Sequence, residues 1–144
     1  MIIGDWPLRG HLEQHVQALG AGDWVQLVGR STRGELIAAY RRAWVVASAS
    51  LAEGWGLTLT EAAACGTPAV ATDIAGHRSS VEDGVTGVLA PLERLGDALS
   101  DVLLDDARRA ALGTAALARA STLTWDLSAR RILAALVSES ERRV

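Results

Sequence analysis

The sequence predicts an α/β fold built on a parallel sheet. A glycine-punctuated loop and a helix pattern, Ser50 to Pro68, lie between two short apolar runs, Trp44 to Ala47 and Ala69 to Thr72. Read as strand, loop, helix, strand, this is a crossover unit of parallel strands. The same alternation precedes it, with a strand tail over Met1 to Gly4, a helix ending at Gly20 and a strand over Val25 to Val28. It also follows it, with a strand over Val85 to Leu89 and helices beyond. In such sheets ligands bind beyond the carboxyl ends of the strands, so function is expected in the loop after Ala47.

The residues of that loop specify a chemistry. Gly54 and Gly56 allow close approach of the backbone and positive φ. A helix starting near Leu57 or Thr58 leaves its first amides without internal partners, and those amides suit an anion such as phosphate. Glu53 precedes the glycines, and Glu61 lies about one turn inside the helix. Carboxylates are poor neighbours for phosphate but accept well from pairs of hydroxyls. Amides flanked by two carboxylates would suit a sugar, a diphosphate and a ribose in sequence.

Ser50 to Pro68 resembles the donor-binding motif of retaining glycosyltransferases of the GT-B fold, family 4 or "group 1". That motif sets two glutamates with seven residues between them in a glycine- and alanine-rich context. Glu53, Gly54, Trp55, Gly56, Leu57, Glu61, Ala62, Ala64, Gly66 and Pro68 match it, and Ala69 replaces the usual Val. The resemblance implies a three-layer Rossmann-like parallel sheet, the carboxyl-terminal half of a GT-B fold. It implies that Glu53 contacts donor-sugar hydroxyls, that amides after Trp55, over Gly56, Leu57 and Thr58, contact sugar and diphosphate, and that Glu61 holds the ribose diol. Backbone groups at Gly29 and Arg30 would read the base, the Arg30 side chain itself being read as solvated. The substrate implied is a nucleotide diphosphate sugar, with no further cofactor and no metal.

Length and composition fit one domain, residues 1–144, with 49% hydrophobic residues to form a core. A net charge of −3 gives no reason to expect nucleic acid as a partner. All fourteen basic residues are Arg. A single cysteine, Cys65, excludes an internal disulfide and is read as packing. No apolar run reaches the length of a membrane span and no secretory signal is visible, so a cytoplasmic location is expected, peripheral membrane association staying open for a full enzyme.

Along the chain, Pro7 is placed to start the first helix, in which Leu8, Leu12, Val16 and Leu19 recur at helical spacing. His11 and His15 have metal-compatible spacing but no third ligand in view, and read as a surface pair. Trp6 stands where the family has a second glycine; its ring could narrow a cleft or sit in a surface turn. Gly34 to Arg42 reads as a helix capped by Ser31 or Thr32, with Tyr40 in its apolar stripe. Trp44 is read as core. Thr72 to Gly76 is a loop and Ser79 to Glu82 a short helix. His77 is read as solvated, with a cleft position as the alternative. Asp83, Gly84, Thr86, Gly87 and Leu89 match a second family pattern, a glycine turn into a buried strand. Helices are expected over Leu92 to Leu104, Ala107 to Arg119 and Trp125 to Ser138, the last capped by Thr124. The family's closing helix, which Leu-Thr-Trp-Asp resembles, packs its tryptophan.

The resemblance covers nearly the whole chain but only part of the enzyme. It implies that the amino-terminal GT-B domain is missing, and with it the first strand and helix of the second domain, which carry the Arg and Lys that hold the diphosphate. The chain is therefore expected to be truncated at its amino end, by a truncated gene product, a misplaced start or a deliberate fragment. An unpaired sheet edge would follow, to be met by the missing domain or by self-association. Two readings stand: a donor-binding half of a hexose-transferring glycosyltransferase, inactive alone, or a degenerate non-enzymatic association module. A dehydrogenase is disfavoured, because no Gly-x-Gly-x-x-Gly follows a first strand.

Overall fold

The computed structural model describes residues 1–142. It divides into two compact units, Met1–Ala39 and the chain from Tyr40 onward.

In the first unit, β1 (Ile2–Ile3) pairs in parallel with β2 (Leu27–Gly29), and α1 (Arg9–Ala18) connects them. The Arg9 guanidinium ties helix to strand, donating to the Leu27 carbonyl at 2.9 Å and to Glu13 at 2.9 Å. The strand starts later than Val25 because the Val25 amide is bonded to the Ala21 carbonyl in the preceding turn. Likewise α1 starts at Arg9, after a turn through Pro7 in which the Arg9 amide reaches the Trp6 carbonyl. His11 and His15 are exposed. Next, α2 (Arg33–Arg42) opens with a reciprocal cap. The Thr32 hydroxyl accepts from the Glu35 amide, and the Glu35 carboxylate accepts from the Thr32 amide at 2.8 Å.

The second unit holds a parallel sheet of β3 (Val46–Ser48), β4 (Ala69–Thr72) and β5 (Gly87–Ala90) in that order. Strand β4 lies in the middle and is buried at every residue, which its short side chains allow. Alternation along β4 sends Ala69 and Ala71 to one face, where Leu59 and Val81 cover them with Val46 and Leu89. Val70 faces the other way, into Leu95, Val102 and Leu112. Leu59 belongs to α3 (Leu57–Ala63), Leu95 and Val102 to α5 (Leu95–Leu104), and Leu112 to α6 (Asp106–Ser121). Helices on both faces of a parallel sheet give the three layers expected.

Helix α6 crosses at the amino ends of the strands. Gly113 sits so close to the Gly66 carbonyl, just before β4, that a Cβ would collide with it. The carboxyl ends are left for the loops after Ser48 and Thr72.

Several expectations are corrected. The short helix after β4 is α4 (Ala75–Ser80), not Ser79 to Glu82, and it absorbs part of the expected loop. It can start early because Gly76 lets its first turn lie directly under the Glu53 carbonyl, where a Cβ would overlap. Val85 is in the turn rather than the strand, held by the Thr86 hydroxyl accepting from the Glu82 amide. Leu92–Arg94 forms a separate 3-10 turn before α5. Trp44 is 64% exposed: Val45 and Val46 take the inward positions, and the Arg109 guanidinium carbon lies over the indole, 4.7 Å from the ring centroid. Trp125, expected to pack, is 91% exposed at the start of α7 (Trp125–Arg142), whose apolar residues Ile132, Leu133 and Leu136 are exposed with it.

Candidate functional site

At the carboxyl end of β3 the chain runs through Ser48 into an exposed loop and returns as α3. Gly56 makes the junction. It adopts φ 82°, a left-handed conformation that a side-chain-bearing residue takes at a cost, and it caps α3 with its backbone. Its carbonyl accepts from the amides of Leu59 and Thr60. The first-turn amides of Leu57 and Thr58 are those a helix leaves without an internal acceptor. Leu57 is 71% exposed, so this helix start faces solvent. The Trp55 indole is tacked down, donating from Nε1 to the Thr60 hydroxyl at 3.0 Å.

A carboxylate stands on each side of that start in the sequence, and each is held by a hydroxyl. Glu53 Oε1 accepts from the Ser50 hydroxyl at 2.9 Å. Glu61 Oε2 accepts from the Tyr40 hydroxyl at 3.1 Å. Glu61 shares the exposed face of α3 with Leu57, four residues earlier, while Leu59 and Ala62 are buried. Tyr40 is itself anchored: its carbonyl accepts from the buried Thr67 hydroxyl at 2.6 Å. Burial, and then the neighbouring Glu61 charge, push the Tyr40 phenol up to about 12.

Beneath the loop lies His77, expected to be solvated but fully buried. Its Nδ1 is 2.8 Å from the Thr72 carbonyl, which can only accept, so Nδ1 carries a proton. The Ser48 hydroxyl lies 3.3 Å from Nε2 and donates onward to the Ser50 hydroxyl at 3.4 Å. The correction has a physical reason: α4 begins earlier than its sequence pattern implies and turns residue 77 inward.

Of the residues singled out from the sequence, Glu53, Gly54, Trp55, Gly56, Leu57, Thr58 and Glu61 come together on this one loop and helix. Of these, only Gly56 is buried. Gly29 and Arg30 belong to the first unit. Gly29 ends β2 with φ 81°, and Arg30 is exposed, 3.4 Å from Asp5. Four supporting residues were not anticipated: Tyr40, Ser50, Thr72 and His77. Tyr40, Thr72 and His77 act across contacts that no local spacing marks, whereas Ser50 reaches Glu53 only three residues on.

Residues 1–119 match the family model described as glycosyl transferases group 1. The chain belongs to this family. Among curated relatives it is 38% identical over 137 residues to a D-inositol 3-phosphate glycosyltransferase of Kribbella flavida. That match takes in 91% of this chain and 32% of the relative. The chain thus spans about a third of the length of that relative. Among solved structures it is similar to sucrose-phosphate synthase from Thermosynechococcus elongatus, with a TM-score of 0.81 and 30% identity. That match covers 95% of this chain and 38% of the synthase. It is also similar to Anabaena HepE in complex with UDP and glucose, with a TM-score of 0.79 and 25% identity. Here 95% of this chain and 39% of HepE are covered. The fold of this group 1 chain is that of a carboxyl-terminal GT-B domain. Among the described residues no helix is long and apolar enough to cross a membrane.

Proposed function

We propose that this chain is the donor-binding half of a retaining glycosyltransferase, holding a nucleotide diphosphate sugar whose hexose passes to an acceptor hydroxyl. The observation that carries the reading is the left-handed Gly56 cap. It presents an open helix start with Glu53 before it and Glu61 after it, each oriented by a hydroxyl. Glu53 takes the sugar hydroxyls, the amides of Gly56, Leu57 and Thr58 face the diphosphate, and Glu61 takes the ribose diol. Amides aimed at the leaving diphosphate stabilise the charge that develops as the glycosidic bond breaks. The complexes of HepE with UDP and with UDP-glucose support a donor of this class. An amino-terminal domain supplies the acceptor site, so this chain binds donor without transferring it. The full enzyme works in the cytoplasm.

Isothermal titration of the chain with UDP tests the proposal. Binding is expected, and Glu61→Ala is expected to weaken it about tenfold, the loss of a charged acceptor for the ribose diol. Unchanged affinity in that variant would overturn the ribose assignment.

A second reading has one observation in its favour. The exposed stripe of α7, Trp125, Ile132, Leu133 and Leu136, suits an association module. Light scattering with and without UDP separates the two: oligomers indifferent to the nucleotide favour association.

A further inference from the structure

His77 is a buried titratable group that the donor-binding reading does not use. Both of its ring nitrogens lead to the same residue. From Nε2 the path runs through the Ser48 hydroxyl, which lies 3.4 Å from the Ser50 hydroxyl. From Nδ1 it runs to Thr72, whose carbonyl lies at 2.8 Å and whose hydroxyl lies at 3.2 Å and donates to the Ser50 carbonyl. Ser50 is therefore held at its side chain and at its backbone, and it is Ser50 that donates to Glu53. The ring also supports the far end of the loop: a Cβ on Gly56 would lie 3.1 Å from His77 Cδ2. An apolar side chain could fill the same volume but would offer no hydrogen bond at either end.

We infer that His77 is a positioning residue for the Glu53 carboxylate, and that through Ser50 it sets how the site holds the sugar of the donor rather than its nucleotide. The inference rests on the donor-binding reading. It separates the two ends of the ligand, because Glu61 is held by Tyr40 and not by this network.

The test is titration of UDP and UDP-glucose into the unaltered chain and into His77→Asn, His77→Gln and Ser50→Ala. Asn keeps a donor on the Thr72 side but does not reach Ser48, Gln reaches toward Ser48, and Ser50→Ala cuts the link without touching the buried ring. His77→Asn and Ser50→Ala are expected to weaken UDP-glucose by about tenfold while UDP stays within about twofold. His77→Gln is expected to recover part of the loss. Equal weakening of both ligands by Ser50→Ala, or no weakening of UDP-glucose, overturns the inference even if the His77 variants fold poorly. If the unaltered chain binds no UDP, the donor-site reading falls, and this inference with it.

Discussion

The Tyr40 hydroxyl donates to Glu61 Oε2 at 3.1 Å, joining the last turn of α2 to α3. The phenol is the only one in the chain, so its ionisation can be followed directly. Burial and the Glu61 charge favour the neutral form and push it up to about 12. The sign follows from linkage. With the folded value raised above the ordinary value of 10, its contribution to stability is full below pH 10 and is lost as pH rises toward about 12. Ultraviolet titration of tyrosinate should give a midpoint well above that of a free phenol, and Glu61→Gln should lower it. A midpoint at the ordinary value would mean that the contact does not form in solution. Tyr40→Phe should also weaken UDP binding by a few-fold, about 1 kcal/mol for one lost hydrogen bond.

Gly76 and Gly56 should respond differently to alanine. At Gly76 a Cβ would overlap the Glu53 carbonyl, so the loop must move. Overpacking of this kind costs roughly 1–3 kcal/mol, and the displaced segment carries the proposed sugar ligand. Gly76→Ala should therefore lose UDP-glucose binding with only moderate loss in thermal stability. At Gly56 the strain is conformational, about 1–2 kcal/mol for the left-handed region, with the His77 ring close by. Gly56→Ala should lower stability and weaken both UDP and UDP-glucose, because the helix start itself shifts. Thermal melts paired with titration distinguish the two patterns.

The acid limb of stability should report two carboxylates. Hydrogen bonds from the Thr32 amide and hydroxyl hold Glu35 below its ordinary range, and the bidentate Arg78 contact does the same for Asp73. Lowered folded values mean that these contributions are present above the unfolded values and are lost as pH falls through the folded ones. Both groups are exposed, so the individual effects are small. Carboxylate titration by NMR should place both groups low, and Arg78→Ala should return Asp73 toward its ordinary value while leaving Glu35 unchanged.

What could be read in the sequence was what depends on neighbours along the chain. The run Ala69 to Thr72 is β4 without adjustment, since four small or β-branched residues between turn signals suit only a buried strand. The glycines and glutamates from Glu53 to Glu61 identified the loop, because backbone geometry there is set by residue type. The supports were hidden. Tyr40 lies 21 residues from Glu61 and looked like one more apolar position on a helix. His77 looked solvated because nothing local shows that α4 starts at Ala75. Trp44 looked like core because the partner for its ring, Arg109, lies on α6, and that arginine also holds the last carbonyls of α5 at Val102 and Leu103.

Helix α7 gives the last prediction. Ile132 and Leu136 stand four apart on one face, 62% and 64% exposed, with Leu133 and Val137 beside them. Residues already in solvent contribute little to folding, so Ile132→Glu with Leu136→Glu should leave the thermal midpoint of the chain within a few degrees, about 0.5 kcal/mol or less per surface site. An exposed apolar stripe of this kind favours association of the chain with itself. The double variant should therefore shift light scattering toward the mass of one chain, with UDP binding unchanged. A large drop in thermal midpoint would instead show that the face is buried within the folded chain, and an unaltered chain that is already monomeric would leave self-association without support.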